Sequence, residues 1–270
     1  MDCYRDMDDV ESAFLAFMDR VPFYGAVTAC LDNPQLAAIL PRARRRVFTY
    51  GAAPEADYRL SSVVAEKGRF SRFQVSTATG PLGPFELHVP GRHNVLNATA
   101  AVAIAHQLEV DPGKIAEGIS RFRGVDRRFH LRGKTRGVAV VDDYGHHPTE
   151  IRATLAAARE CGYERIHVVF QPHRYSRTHD LLEQFAGAFK EADSVVVLPI
   201  YSASEAPIPG VTGEMLAKRI EGPMVEFSPD FATAIASVTA RAREGDLILT
   251  LGAGSVSQLP PQILAAIDAA

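Results

Sequence analysis

The stretch VAVVDDYGHHPTE, Val138 to Glu150, passes within a few residues from an apolar run to a cluster of polar groups. Val138 to Val141 is a β-branched run of the kind that fills the middle of a sheet, and Asp142 and Asp143 are expected to end it. Pro148 suits the first position of a helix, and Thr149 and Glu150 favour a first helical turn. Between them lie Tyr144, Gly145, His146 and His147. Strand, polar turn and helix, in that order, are the form of a ligand site in an α/β fold.

Downstream the same unit recurs. Strand-like runs at Val138 to Val141, Ile166 to Phe170, Ser194 to Leu198, Met224 to Phe227 and Leu247 to Leu251 alternate with helices predicted to begin near Pro148, Thr178, Gly213, Pro229 and Ser255. This rhythm predicts a Rossmann-like, doubly wound α/β domain with a mostly parallel sheet. In such a fold the loops leaving the carboxyl ends of the strands gather on one edge. Here they carry Asp143 to His147, Gln171 to Arg177, Tyr201 to Gly210, and Gly252 to Ser255.

Upstream the pattern is mixed. Asp8 and Glu11 resemble a capping box, and Val10, Phe14, Phe17, Met18 and Val21 share one face of a predicted first helix that needs a sheet to cover. Ala26 to Leu31 and Arg46 to Gly51 read as strands flanking a short helix that starts at Asn33-Pro34. From Asp57 to Val89 the rhythm turns antiparallel, with turns at Lys67-Gly68 and Gly80 to Pro84. Pro90 to Leu108 predicts a buried, Ala-rich helix, and Asp111-Pro112 opens another that ends at Phe122. Arg123-Gly124-Val125-Asp126, short, polar and glycine-containing, is the best boundary, giving a partial α/β domain over 1–123 and the doubly wound domain over 124–270.

Composition bounds the partners. The chain has 270 residues, 47% hydrophobic and 23% charged, enough apolar material for roughly two domains of ordinary size. A net charge of -3 and a pI near 6.3 point away from nucleic acid or an anionic membrane as main partner. Cys3, Cys30 and Cys161 lack metal-like spacing, which fits a reducing cytoplasm. No apolar run is long enough to span a membrane, and the acidic start MDCYRDMDD lacks the basic region of a signal peptide.

Several clusters admit two readings. Asn94 and Asn97, three apart on a first helical turn, either read the edge of a base with their amides or serve as a cap and a solvated turn residue. Arg174 and Arg177 with His173 beside them suit a grip on carboxylate or phosphate, and their place after a buried strand favours this over a solvated helix start. His146-His147 offers metal donors, but adjacent side chains point apart and no third ligand stands at a recognisable spacing. Gly252-Ala253-Gly254 fits an anion cradle or a tight strand-to-helix turn equally well. Cys161, at a helix end beside Gly162, gets no catalytic reading, and no GxSxG-type nucleophile motif occurs.

GRHNVLN at Gly91 to Asn97, GVDRRF at Gly124 to Phe129, VDDYGHHPTE at Val141 to Glu150, FQPHRYSRT at Phe170 to Thr178 and SEAPIPG at Ser204 to Gly210 together resemble the bacterial Mur ligases. The resemblance runs in register through essentially the whole chain. It implies an ATP-dependent acid–amino-acid ligase of peptidoglycan synthesis that joins L-alanine to UDP-N-acetylmuramate through an acyl phosphate. ATP and Mg2+ are the implied cofactors, the latter held mostly by a segment not matched here.

By the same resemblance, Asn94 and Asn97 contact adenine, and Arg128 and Asp143 contact the nucleotide from the second domain. Tyr144, His146, His173, Arg174 and Arg177 meet the amino acid and the acyl end of the sugar, with His146, Arg174 and Arg177 as the catalytic candidates. No metal ligand is assigned. The family's UDP-binding domain and its glycine-rich phosphate loop have no counterpart in this sequence, and the match at Met1-Asp2-Cys3-Tyr4 starts one residue after a family histidine. The expectation is therefore a fragment of a ligase that does not turn over alone, with a homo-oligomer or an amino-terminal portion completing it and apolar helix faces left bare in 1–122. The alternatives are a ligase that recycles murein tripeptide and a non-catalytic remnant that binds nucleotide or amino acid.

Overall fold

A computed structural model describes residues 4–66 and 70–269, so the expected turn at Lys67-Gly68 and residue Cys3 lie outside the described residues. The chain divides into two compact units, 1–122 and 123–270.

In the first unit, helix α1 (Met7–Asp19) starts at Asp6, whose carboxylate accepts from the Asp9 N–H. The cap is thus Asp6 and not Asp8, because the extended backbone that lets a side chain reach back occurs at Asp6. Strand β1 (Val27–Cys30) and strand β2 (Val47–Gly51) are parallel and flank α2 (Pro34–Ile39), capped by Asn33. Strand β3 (Tyr58–Glu66) touches β2 in parallel at Tyr50 and Gly51, then turns antiparallel against β4 (Phe70–Thr77), with a bulge between Ser61 and Val64 where Ser62 has φ +52°. Strands β5 (Gly80–Pro81) and β6 (Phe85–Leu87) both pair with β4, so the antiparallel addition is as expected.

Helix α3 (Arg92–Gln107) lies on this sheet and buries Val95, Ala98, Val102 and Ala103 against Leu60, Phe73, Val75, Phe85 and Leu87. Helix α4 (Pro112–Arg121), capped by Asp111, adds Ile115 to the same core. Helix α1 is a contrast. Of its apolar face only Met18 is buried, while Phe14 and Phe17 are 51% and 72% exposed, so among the described residues the sheet expected to cover it does not do so.

The second unit is a three-layer sandwich. Its sheet begins with a strand not foreseen from sequence, β7 (His130–Thr135), which pairs antiparallel with β8 (Val138–Asp143). Then come α5 (Pro148–Glu160), β9 (Ile166–Phe170), α6 (Tyr175–Asp180), α7 (Leu182–Ala186), β10 (Ser194–Val197), α8 (Gly213–Ala217), β11 (Met224–Phe227), α9 (Phe231–Arg241), β12 (Leu247–Leu251) and α10 (Leu259–Ala269). The order is β11-β10-β9-β12-β8-β7, parallel except for β7. One face packs Val141, Val168, Val195 and Leu249 under Ile151, Leu155, Phe185 and Leu216 of α5, α7 and α8. The other packs Val140, Val169, Val196 and Ile248 under Val238 of α9 and Ile263 of α10. Strands buried on both faces explain the unbroken apolar runs.

Three boundaries differ from expectation. Asp142 and Asp143 do not end β8: both lie within it, paired with Thr250 and Leu251, because each buried carboxylate has its own donors. The helix expected near Thr178 starts at Tyr175 and breaks after Asp180. The helix expected at Ser255 opens as a single 3₁₀ turn, Ser255–Gln258, before α10. Cys161 does end α5, followed by Gly162 at φ +77°, and burial pushes its thiol up to about 11, far from a reactive thiolate. No helix among the described residues is long and apolar enough to cross a membrane.

Candidate functional site

The carboxyl-end edge of the second unit's sheet is built from the bottom by Asp143. Its carboxylate accepts the Phe129 N–H at 2.7 Å, the Gly145 N–H at 2.7 Å and the Thr154 hydroxyl at 3.1 Å. It is 8% exposed and faces the fold, tying the segment before β7, the turn after β8 and helix α5 together. Neighbouring Asp142 accepts from the Thr250 hydroxyl at 2.7 Å and from Arg127 Nε at 3.3 Å. Arg127 also donates to the Gly252 carbonyl at 2.6 Å and lies 4.9 Å above the Tyr144 ring. Sequence reasoning singled out Arg128, which is exposed; Arg127 is the residue that binds this edge together, and only the tertiary structure tells the two apart.

Above this base stands a row of rings. Tyr144 meets His146 edge-on at 5.2 Å, His146 meets His173 at 5.6 Å, and His173 stacks on Tyr201 at 5.5 Å with 14° between planes. The row therefore crosses three strand ends. His146 Nδ1 donates to the Tyr144 carbonyl at 3.0 Å, so Nε2 is the ring nitrogen left to exchange a proton. His147 is not part of the row: it caps α5, with its Nδ1 accepting from the Thr149 N–H at 3.2 Å and its backbone N–H donating to Glu150 at 3.0 Å. Burial lowers the His147 pKa, so the neutral form that this cap requires is favoured.

The cationic part comes from α6. Arg174 has φ +74° and donates its N–H to the Tyr201 carbonyl at 2.9 Å, which turns the chain sharply into the helix. Arg177 Nη1 donates to the His173 carbonyl at 3.1 Å and to His173 Nδ1 at 3.2 Å. That pins one nitrogen of the guanidinium and leaves its Nε and Nη2 edge, the one that suits bidentate anion binding, without a protein partner among the described residues. Burial, then His146, Arg177 and Arg174, push the His173 pKa down to about 4, so this imidazole is neutral at physiological pH. Glu205 is the nearby carboxylate: it accepts from the Ser176 hydroxyl at 2.6 Å and N–H at 3.1 Å and lies 4.0 Å from Arg174. Burial works to raise its pKa, but the Ser176 bonds prevail and hold it low, hence charged. Tyr201 and Glu205 lie in a loop that the sequence placed on this edge, yet no local signal gave either a role.

The glycines behind the row have a packing reason. A Cβ on Gly254 would lie 2.6 Å from Gln171 Oε1 and from the Tyr201 ring, and one on Gly252, at φ +143°, would lie 2.6 Å from the Gln171 carbonyl. Gln171 Oε1 in turn accepts the Val256 N–H at 2.9 Å, so the Gly252 to Gly254 turn is locked against the end of β9.

In the first unit, Asn94 and Asn97 lie at the start of α3. The N-cap is Gly91, at φ +96°, so neither asparagine caps the helix. Asn94 Nδ2 donates to the Pro90 carbonyl at 2.7 Å, leaving its oxygen as acceptor, and Asn97 is exposed. The structure thus brings Tyr144, His146, His173, Arg174 and Arg177 into one cluster, turns Asp143 inward, leaves Arg128 exposed, and holds Asn94 and Asn97 together on a separate unit.

Residues 1–105 match the Mur ligase middle domain, and residues 127–254 match the Mur ligase glutamate ligase domain. The chain belongs to the Mur ligase family. Among curated Mur ligases, the UDP-N-acetylmuramate–L-alanine ligase of Acidobacterium capsulatum is 59% identical over 264 residues, which is 98% of this chain and 58% of that protein. The chain thus spans somewhat more than half the length of this relative. The crystal structure of UDP-N-acetylmuramate–alanine ligase from Thermotoga maritima superposes with a TM-score of 0.79 at 26% identity, covering 98% of this chain and 56% of that one. A murein peptide ligase from Psychrobacter arcticus shares the Mur ligase fold at a TM-score of 0.65 and 20% identity, with 98% and 55% covered.

Proposed function

We propose that this chain supplies the middle and carboxyl-terminal domains of an ATP-dependent ligase that joins L-alanine to the muramate carboxylate of UDP-N-acetylmuramate. The observation that carries the reading is the Arg177 guanidinium, pinned through Nη1 with its bidentate edge open beside the ring row Tyr144, His146, His173 and Tyr201. The 59% identity to the Acidobacterium ligase supports the choice of substrates.

A carboxylate is a poor electrophile. Phosphoryl transfer from ATP to one of its oxygens gives an acyl phosphate and ADP; attack by the alanine amine then forms the amide and expels orthophosphate. In this scheme Arg177 and Arg174 hold the carboxylate of the amino acid and the charge that grows on the acyl oxygen, fixing the amine in attack geometry. His146 Nε2 takes the proton that the alanine ammonium must lose before it attacks. A neutral His173 adds no competing positive charge and stiffens Arg177 by accepting its hydrogen bond.

ATP enters as a substrate whose adenine edge suits Asn94 and Asn97, since Asn97 offers donor and acceptor and Asn94 retains an acceptor. Asp143 acts on the nucleotide through the turn it holds, its oxygens being engaged by the fold, and exposed Arg128 is left to contact phosphate or ribose directly. Among the described residues no group of three or more His, Cys, Asp or Glu side chains is arranged to hold a metal ion by itself, and no step is drawn through magnesium.

The test is ATP-dependent orthophosphate release from UDP-N-acetylmuramate with L-alanine, glycine or the murein tripeptide as amine. The protein would be this chain joined to the amino-terminal portion of the Acidobacterium relative. The reading expects product with L-alanine at a kcat/KM well above that with tripeptide. The reverse order would make it a recycling ligase, and no release with any amine, from a protein that still binds ATP, would leave the non-catalytic binding remnant.

A further inference from the structure

The sheet of the second unit has a second edge, formed by the amino ends of its strands, and nothing in the ligase reading uses it. A cavity of about 530 Å³ opens there, lined by Arg165, His167, Asp193, Ser194, Met224, Ala240, Arg241 and Arg243. That size accommodates a small organic molecule. Its floor is a closed network. His167, 3% exposed, lies 2.8 Å from the Ser194 hydroxyl through Nδ1 and 3.2 Å from Asp246 through Nε2. With Asp246 ionised, Nε2 carries the proton and Nδ1 accepts from Ser194. The serine hydrogen is thereby committed, and at 2% exposure its oxygen is a poor nucleophile, so this trio supports the cavity and performs no chemistry.

The walls are cationic and incompletely paired. Asp193 is already neutralised by Arg159 at 2.8 Å and by the Ile166 N–H at 2.8 Å. Arg241 Nη2 bonds Glu226 at 2.5 Å, but Arg241 Nη1 is buried with no hydrogen-bond partner. A buried guanidinium nitrogen left unpaired is costly and calls for an acceptor. Arg165, on the loop before β9, has no side-chain partner among the described residues, and Arg243 Nη1 bonds only the Ala240 and Ala242 carbonyls at 2.8 Å. Three guanidinium groups therefore line one cavity, and exposed Arg165 and Arg243 bring accessible donors to it.

We propose that this cavity is a binding site for a phosphate dianion, either free orthophosphate or the head of a small phosphomonoester. A tetrahedral dianion has enough oxygens to take Arg165 and Arg243 at once, with the Arg241 charge beside them, and still meet solvent, whereas a carboxylate has two. Met224, 60% exposed on the rim, offers an apolar surface for the organic part of an ester. The site is distinct from the Arg174 and Arg177 cluster at the opposite ends of the same strands, and it stands whether or not the ligase reading does.

The test is titration of the full chain with inorganic phosphate, and separately with glycerol 1-phosphate, at constant ionic strength. Binding would be read by amide chemical shifts at Ser194 and Arg241 to Arg243. The site predicts saturable shifts there. Arg165→Gln should weaken that binding about tenfold or more and leave the urea midpoint unchanged, since Arg165 supports nothing in the fold, while Arg174→Gln with Arg177→Gln should leave these shifts intact. Tighter binding of glycerol 1-phosphate identifies an ester as the ligand, and equal or weaker binding identifies the free ion. Absence of saturable shifts at Ser194 and Arg241 to Arg243 with either probe, or an isotherm that Arg165→Gln does not change, would overturn the proposal.

Discussion

Strand β9 carries a histidine at each end, and the two live in opposite surroundings. His167, near its start, is sandwiched between Ser194 and Asp246, with both ring nitrogens occupied by the protein. His173, just beyond its end, is half-buried among Arg177, Arg174 and His146, its pKa pushed down to about 4. At the first position the fold supplies a carboxylate and the network closes. At the second it gathers cations around a neutral ring, with Glu205 occupied by Ser176, and leaves an arginine edge open. A closed network is a structural fastening; an open one has its missing partner in solution. That difference, more than the presence of histidine and arginine, separates a site from a core.

Breaking the open end should have the largest effect, and on activity. Arg177→Met is expected to lower kcat/KM for amide formation about 10²- to 10³-fold and to cost only about 1 kcal/mol in urea from the lost Nη1 bonds to His173, because the Nε and Nη2 edge supports no part of the fold. Breaking the base beneath it should instead cost stability. Asp143→Ala strands the Phe129 and Gly145 N–H groups and the Thr154 hydroxyl, a loss of roughly 3 kcal/mol by urea denaturation. Arg128→Ala, at an exposed position, should stay within about 0.5 kcal/mol. At the closed end, His167→Ala leaves Ser194 and buried Asp246 short of a partner and should cost roughly 2 kcal/mol.

The smallest effect is on pH dependence. His173 has a folded pKa of about 4 against an ordinary value of 6.5. On acidification the unfolded chain takes up that proton first, so the stability tied to neutral His173 is complete above pH 6.5 and is lost as the pH falls towards 4. His147, also lowered, acts in the same direction. His173→Gln should therefore flatten the fall of the urea midpoint across this window, and an unchanged slope would show that His173 is not held neutral.

Much of this architecture is legible in sequence where local and tertiary preferences agree. Ile166 to Phe170 reads as a buried strand because both its faces are covered, and His147 to Glu150 reads as a helix start because Pro148 and Glu150 suit the turn they occupy. The strand β7 was invisible because its side chains are mostly polar and partly exposed, and Gly133 sits at its register shift. Asp142 and Asp143 looked like a strand end because an acidic pair is buried only when partners far along the chain, Arg127, Thr250 and Thr154, come to meet it. The same reason hid the site's framework. Arg127 and Arg128 are equivalent in sequence, and the Tyr201 stack and the Glu205 tether exist only once β9 and β10 lie side by side.

The most direct test of the ligase account follows the oxygen atoms of the substrate. UDP-N-acetylmuramate labelled with ¹⁸O in both muramate carboxylate oxygens would be converted with ATP and L-alanine by a protein carrying this chain, and the released orthophosphate analysed by mass spectrometry. Activation through an acyl phosphate predicts one labelled oxygen in orthophosphate for each amide formed, with the rate of its appearance falling in Arg177→Met. Orthophosphate free of label while amide accumulates would contradict the account.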